Sequence, residues 1–216
     1  VDVLVENLGL YWRGVLTTLQ ISLYSGIGAL VLGTIMAGFR VSPVPPLRAV
    51  GAGWVTAVRN TPLSVVLFMI AFGLPEIAIN APFFWFGVTG LALYTSAFVC
   101  EALRSGINSV STGQAEAARA IGLTFGQTLG EVVLPQAFRT VVPPLGNVFI
   151  AMIKNSAIVG AVGVGGDLYS VGVQLTGSLG EAAIPVLIGV ALGYLVLTIP
   201  AGLLLGYLER KVAIAR

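Results

Sequence analysis

The stretch STGQAEAARAIGLTFGQTLGEVVLP, Ser111 to Pro135, is a polar, helix-forming island in a chain that is otherwise mostly apolar. Ser111 and Gln114 have the spacing of a capping box, in which the hydroxyl serves free helix N–H groups and the amide reaches back. Ala115, Ala117, Ala118 and Ala120 give the helix that follows a small-residue surface, Glu116 and Arg119 stand at i,i+3, and Gly122 is placed to stop it in a left-handed turn. Thr124 and Gln127 repeat the capping box, so a second short helix is predicted to run to about Leu134 and to end at Pro135. Two capped helices around a glycine make a rigid knob, whose meaning depends on what surrounds it.

What surrounds it has the composition of a polytopic membrane protein. Of 216 residues, 56% are hydrophobic and only 9% charged, with a mean hydropathy of +0.97; a soluble domain carries about 25% charged residues. The single cysteine, Cys100, excludes an intrachain disulfide and any multi-cysteine metal site. With no histidine either, no metal centre is expected. Asp2 and Glu6 precede the first apolar run without a basic region or a small-residue cleavage site, so that run is expected to stay in the membrane. The chain opens on Val1, so a few residues are expected to precede it.

Apolar runs of about 20 residues span a bilayer, and five can be placed: 14–39, 54–72, 83–99, 141–164 and 182–208. The whole chain, 1–216, then reads as one all-α transmembrane domain. The second run is irregular, because Arg59-Asn60-Thr61-Pro62 falls inside it; it is kept as one helix with a polar face. Proline-rich RVSPVPPLR, Arg40 to Arg48, is a stiff connector, and Gly163 to Gly180 reads as a glycine-rich loop with Asp167 on the outer face. Gly189/Gly193 and Gly202/Gly206 in the last run are small-xxx-small pairs suited to close helix packing.

Basic residues then set the orientation. With the N-terminus outside, Arg40, Arg48, Arg59, Arg104, Arg119, Arg139, Arg210, Lys211 and Arg216 lie inside, nine of the eleven, while Arg13 is outside and Lys154 is within the membrane. The expected topology is N-terminus out and C-terminus in the cytoplasm, which makes 104–139 a cytoplasmic loop.

The knob's spacing is Glu116-Ala117-Ala118, three residues, Gly122, nine residues, Val132, one residue, then Leu134-Pro135. This resembles the EAA loop of permease subunits of ABC importers, with valine where isoleucine is usual. The resemblance extends through RNTPL at Arg59 to Leu63, LYTSAFVCEALRSGINSV at Leu93 to Val110 and LGNVFIAMIKNSAI at Leu145 to Ile158. These look like the five-helix permeases of polar amino-acid importers, most similar to the glutamate and glutamine type of actinobacteria. The resemblance implies a type I ABC importer permease fold in a bacterial cytoplasmic membrane. It also implies a coupling role for Glu116, Ala117, Ala118, Arg119, Gly122, Leu134 and Pro135, docked on a separate cytoplasmic ATP-binding subunit present in two copies. That partner would use the ATP and Mg; this chain, which lacks GxxxxGK[ST], would bind no cofactor and catalyse nothing by itself. A second permease subunit, in a homo- or heterodimer, and an extracytoplasmic substrate-binding protein complete the implied assembly; nucleic acid has no place in it.

Two polar clusters are candidates for the translocation path or its gate. Arg59, Asn60 and Thr61 combine a cation with amide and hydroxyl groups suited to a carboxylate; equally, Arg59 can snorkel to lipid headgroups. Lys154, Asn155 and Ser156 sit mid-span, where a lysine needs a water-filled cavity or a carboxylate. Glu101 is the expected partner, either in the path or as a structural pair fixing helix register. Arg104 is expected to pair with Glu101 or with phosphate headgroups. Two competing functions remain at this point: an ion-coupled secondary transporter using Glu101 or Lys154, for which no inverted repeat is visible, and an intramembrane enzyme, for which no nucleophile-and-base motif exists.

Overall fold

The computed structural model describes residues 2–163 and 165–212. Val164, where the sequence places the end of the fourth span, and Arg216 of the basic tail lie outside the described residues. Helices account for nearly everything else: α1 Asp2–Glu6, α2 Leu8–Val41, α3 Pro45–Arg59, α4 Leu63–Glu76, α5 Phe83–Asn108, α6 Thr112–Ala120, α7 Phe125–Ala161, α8 Leu168–Val173 and α9 Ala183–Val212. Four of them, α2, α5, α7 and α9, are long and apolar enough to cross a membrane, and the α3–α4 pair makes a fifth crossing if counted as one.

Three expectations change. First, 54–72 is not one helix: α3 and α4 meet at 102°. Pro62 drives the residue before it out of the α region, and the side chains of Asn60 and Thr61 close the end of α3 by donating to the carbonyls of Thr56 and Ala57 at 2.7 and 2.8 Å. Second, Pro135 does not end the helix that begins at Phe125. A π-helical turn at Thr128–Val133 precedes it, and this wider turn accommodates a ring that would otherwise meet the carbonyl four residues back. The knob's second helix and the fourth span are therefore one element, α7. Third, 163–180 is not simply a loop, since it holds α8 and a further π-helical turn, Gln174–Ser178.

The centre of the bundle is the α2–α5 contact, with α7 packed on α5 and α9 on α7. Small residues decide how close it can be: a Cβ at Gly33 would stand 2.6 Å from Val99 Cβ and 2.8 Å from the Ser96 carbonyl. Ser25 donates across the same seam to the Val88 carbonyl at 3.1 Å. A core of Ile21, Leu67, Leu91, Met152 and Val159 joins α2, α4, α5 and α7. A second core, Tyr11, Val15, Leu168, Leu175 and Val186, joins α2, α8 and α9. The two glycine pairs of α9 divide: Gly189 and Gly193 abut Tyr11 and Leu168, whereas Gly202 and Gly206 meet almost nothing among the described residues.

Candidate functional site

The knob stands where α5 leaves the bundle and α7 enters it. Its first helix, α6, is anchored by one residue, Ala118, which is buried, while Glu116, Ala117 and Arg119 are exposed. Gly122 closes it at φ +94°. The N–H of Gly122 donates to the Arg119 carbonyl at 2.9 Å and that of Leu123 to the Ala118 carbonyl at 3.1 Å, the paired bonds of a Schellman cap. A Cβ at Gly122 would meet no atom within 4 Å, so the glycine serves backbone conformation, not space. The Thr124–Gln127 capping box forms as expected. The one expected at Ser111 does not: the Ser111 side chain makes no cap hydrogen bond. Nor do Glu116 and Arg119 pair; neither has an ion pair among the described residues. The knob's outer surface adds bare apolar side chains, Ile121 at 81% exposure and Phe125 at 63%, with Leu134 and Pro135 also exposed on α7.

Above the knob, one carboxylate gathers three guanidinium groups from three helices. Arg104 donates through Nε and Nη2 to both oxygens of Glu101, at 3.2 and 3.0 Å. Arg40 Nη1, from the end of α2, lies 3.4 Å from Glu101 Oε1, and Arg59 Nη1, from the end of α3, lies 3.7 Å from Oε2. Arg59 also sits over the Phe98 ring, 5.5 Å from its centroid, close enough for a cation–π contact. The expected Lys154–Glu101 pair is thus replaced: Glu101 is taken by arginines at the basic end of the bundle. Lys154 is exposed on α7 with no ion pair among the described residues. Asn60 and Thr61 donate to carbonyls at the end of their own helix.

Between α5 and α7 lies a cavity of about 350 Å³ lined by Tyr94, Thr95, Phe98, Asn147, Met152 and Asn155 among others. Such a volume suits a small ligand. Asn155 is the one member of the Lys154-Asn155-Ser156 cluster that lines it; Ser156 is buried and donates to the Ile153 carbonyl at 2.6 Å. Asn147 also lines it, beside Tyr94 and Thr95, and is not among the residues the sequence singles out. Its signal was there: Asn147, Ala151 and Asn155 recur at i, i+4, i+8, and Tyr94 and Phe98 at i, i+4, so each set shares a helix face.

Asp167 is not on the surface. It is fully buried, caps α8 by accepting from Tyr169 N at 3.0 Å, and also accepts from Ser170 Oγ. Its place exists because residue 160 is glycine; a Cβ there would overlap the carboxylate. Burial pushes the Asp167 carboxyl above the ordinary carboxylate range, with the bonds from Ser170 and Tyr169 pulling the other way.

Among known proteins, the family model described as "Binding-protein-dependent transport system inner membrane component" matches residues 29–214. The chain is 41% identical over 211 residues to the "Probable glutamine ABC transporter permease protein GlnM" of Bacillus subtilis, covering 98% of this chain and 97% of the relative. It is 40% identical over 213 residues to the "Glutamate transport system permease protein GluC" of Corynebacterium efficiens, covering 92% of each. In three dimensions it matches a chain of an amino acid ABC transporter crystallised with histidines, at TM-score 0.91 and 35% identity, over 98% of this chain and 99% of that one. A chain of the MetNI methionine ABC transporter in an inward-facing conformation follows at TM-score 0.79 and 25% identity, over 96% and 98%.

Proposed function

This chain belongs to the binding-protein-dependent transport system inner membrane components, and from that membership we propose that it is the permease subunit of an ATP-driven importer of a polar amino acid, glutamate or glutamine. The observation that carries the reading is the knob: a capped, protruding helix with Glu116, Ala117, Ile121 and Phe125 bare on its surface. A rigid element with exposed small and apolar residues around one carboxylate is suited to seat in a groove of a partner. That partner is a cytoplasmic ATP-binding subunit, present in two copies, which uses ATP and Mg. The permease chain itself hydrolyses nothing. The substrate class rests on the relatives named for glutamine and glutamate.

The exposed Lys154 supports a second permease subunit. An ammonium in mid-span against lipid is costly, so it faces the other half of the dimer or the water-filled path between the halves. The α5–α7 cavity, with Asn147 and Asn155, opens on that path, and Arg59 over Phe98 gates it. The N-terminus is outside, where the substrate-binding protein docks, and the C-terminus is cytoplasmic. The relatives, named for ABC transporters, give the ion-coupled alternative no support, and of its two candidate groups Glu101 is held by three arginines.

Uptake of labelled glutamate and glutamine by cells lacking the gene, with and without the restored chain, tests the substrate. Restoration of either, competed by the other more than by arginine or histidine, is expected; restoration of arginine or histidine uptake alone would overturn the assignment.

A further inference from the structure

A second cavity, of about 630 Å³, lies between the knob and the ends of α2 and α5. Arg40, Arg104 and Arg119 line it, and no aspartate or glutamate does. Glu101 occupies two donors of Arg104 and faces one nitrogen of Arg40, which leaves the rest of both forks unspent. Arg119 has no ion pair among the described residues. Three guanidinium groups around one space, with a single shared carboxylate behind two of them, leave a surplus of positive charge.

Two further observations point the same way. The N-terminus of α6 borders the cavity through Ser111 and Thr112, and because the Ser111 hydroxyl makes no cap hydrogen bond, the first N–H groups of the helix are left open to an anion. Thr128 also lines the cavity, is 5% exposed, and its hydroxyl has no hydrogen-bond partner among the described residues. A buried hydroxyl without a partner costs free energy unless a ligand meets it.

We propose that this cavity binds a phosphate-bearing anion, seated on Arg40, Arg104 and Arg119 and closing the open N-terminus of α6. Its level in the bundle is that of lipid headgroups: from Phe83, the start of α5, to Arg104 is roughly 32 Å of helix, about the thickness of the hydrocarbon core. An anionic phospholipid and a free phosphate both present the required chemistry. Either would tie the knob, through Arg119, to the ends of α2 and α5, and so stiffen the element that the partner ATPase contacts.

The test uses the full transporter, this chain with its partner subunits, freed of lipid in detergent. It is titrated separately with dihexanoyl phosphatidylglycerol, dihexanoyl phosphatidylcholine and inorganic phosphate, and followed by native mass spectrometry and thermal melting. Saturable binding of phosphatidylglycerol or of inorganic phosphate is expected, and which of the two binds identifies the source as lipid or free anion. Arg119→Gln should weaken it about tenfold and Thr128→Val about threefold, the sizes of one charged and one neutral hydrogen bond. Thr128 Oγ1 has no hydrogen-bond partner among the described residues, so Thr128→Val, which keeps the shape of the side chain, should melt like the parent without ligand. The proposal is overturned if neither anion binds, if phosphatidylcholine binds as tightly as phosphatidylglycerol, or if both variants bind unchanged.

Discussion

Replacing Glu101 by glutamine keeps the volume and one acceptor but removes the one charge that, among the described residues, balances three arginines. The bidentate bond to Arg104, at 3.0 and 3.2 Å, belongs to the class of hydrogen bonds worth about 1.5–3 kcal/mol. The Arg40 contact is longer, at 3.4 Å, between side chains 20% and 23% exposed, and is assigned about 1 kcal/mol. Arg59 is 46% exposed and 3.7 Å away; solvent screening reduces its share to less than about 0.5 kcal/mol. Because glutamine still accepts one hydrogen bond and water reaches the cluster, Glu101→Gln should cost about 2 kcal/mol. Reversible denaturation in mixed micelles measures it, and a double-mutant cycle with Arg104→Gln isolates the principal pair, with an expected coupling of about 1–2 kcal/mol. The deficit should narrow in high salt, since part of the cluster is wet. A coupling below about 0.3 kcal/mol, or a deficit unchanged by salt, would refute the reasoning that one carboxylate holds the ends of α2, α3 and α5 together.

Gly122→Ala should destabilise the knob by about 1 kcal/mol, because φ is +94° with no steric crowding to relieve; faster amide exchange confined to 112–128 is the signature, and unchanged exchange counts against it. Gly33→Ala should cost about 1–3 kcal/mol through overlap with Val99 and the Ser96 carbonyl, read as a lost folded fraction in detergent. Glu116→Lys should leave insertion and ATPase assembly measurable but lower substrate moved per ATP hydrolysed; a normal ratio would remove the knob from coupling. For Asp167 the sign follows from its raised pKa: the native state holds the proton more tightly than the unfolded chain, so its contribution is present below the ordinary carboxylate range and is lost as pH rises through the native value. Asp167→Asn should therefore flatten the fall in stability with rising pH, and an undiminished slope in the variant would show that other groups cause it.

The spans and the knob were legible because each rests on local rules. Apolar runs of membrane length, a Gly122 stop and a Thr124–Gln127 box need no knowledge of the rest of the fold. What was not legible depended on tertiary packing. Pro135 reads as a stop from its own chemistry, yet a π-helical turn upstream lets α7 pass through it. Glu101 is expected to meet the mid-span Lys154, but packing brings the ends of α2 and α3 to it, so that Arg40 and Arg59 join Arg104 around its carboxylate. Asp167 has the sequence context of a solvated loop acid. Only the absence of a side chain at Gly160 explains how it can be buried.

These placements make the knob and the α5–α7 cavity parts of one mechanical unit. The knob, α6 with the first turns of α7, joins α5 to the rest of α7, and those same two helices face each other across the cavity through Tyr94 and Phe98 on one side and Asn147 and Asn155 on the other. Just above the knob they are locked: Gly106 abuts Val141, and the Ser109 and Thr140 hydroxyls are 2.8 Å apart. From Ser109 to Phe98 is roughly 16 Å of continuous helix, too short and too well packed to bend without cause. On the α5 side, a displacement of the knob by a partner is passed along the helix and works against the Glu101 cluster that fastens α5 to α2 and α3, whereas α7 carries Pro143 and Pro144 between the Thr140 contact and the cavity and can hinge there. Within the proposed function, the strength of that cluster sets how much of the ATPase stroke reaches the cavity, so Glu101→Gln should alter transport coupling as well as stability.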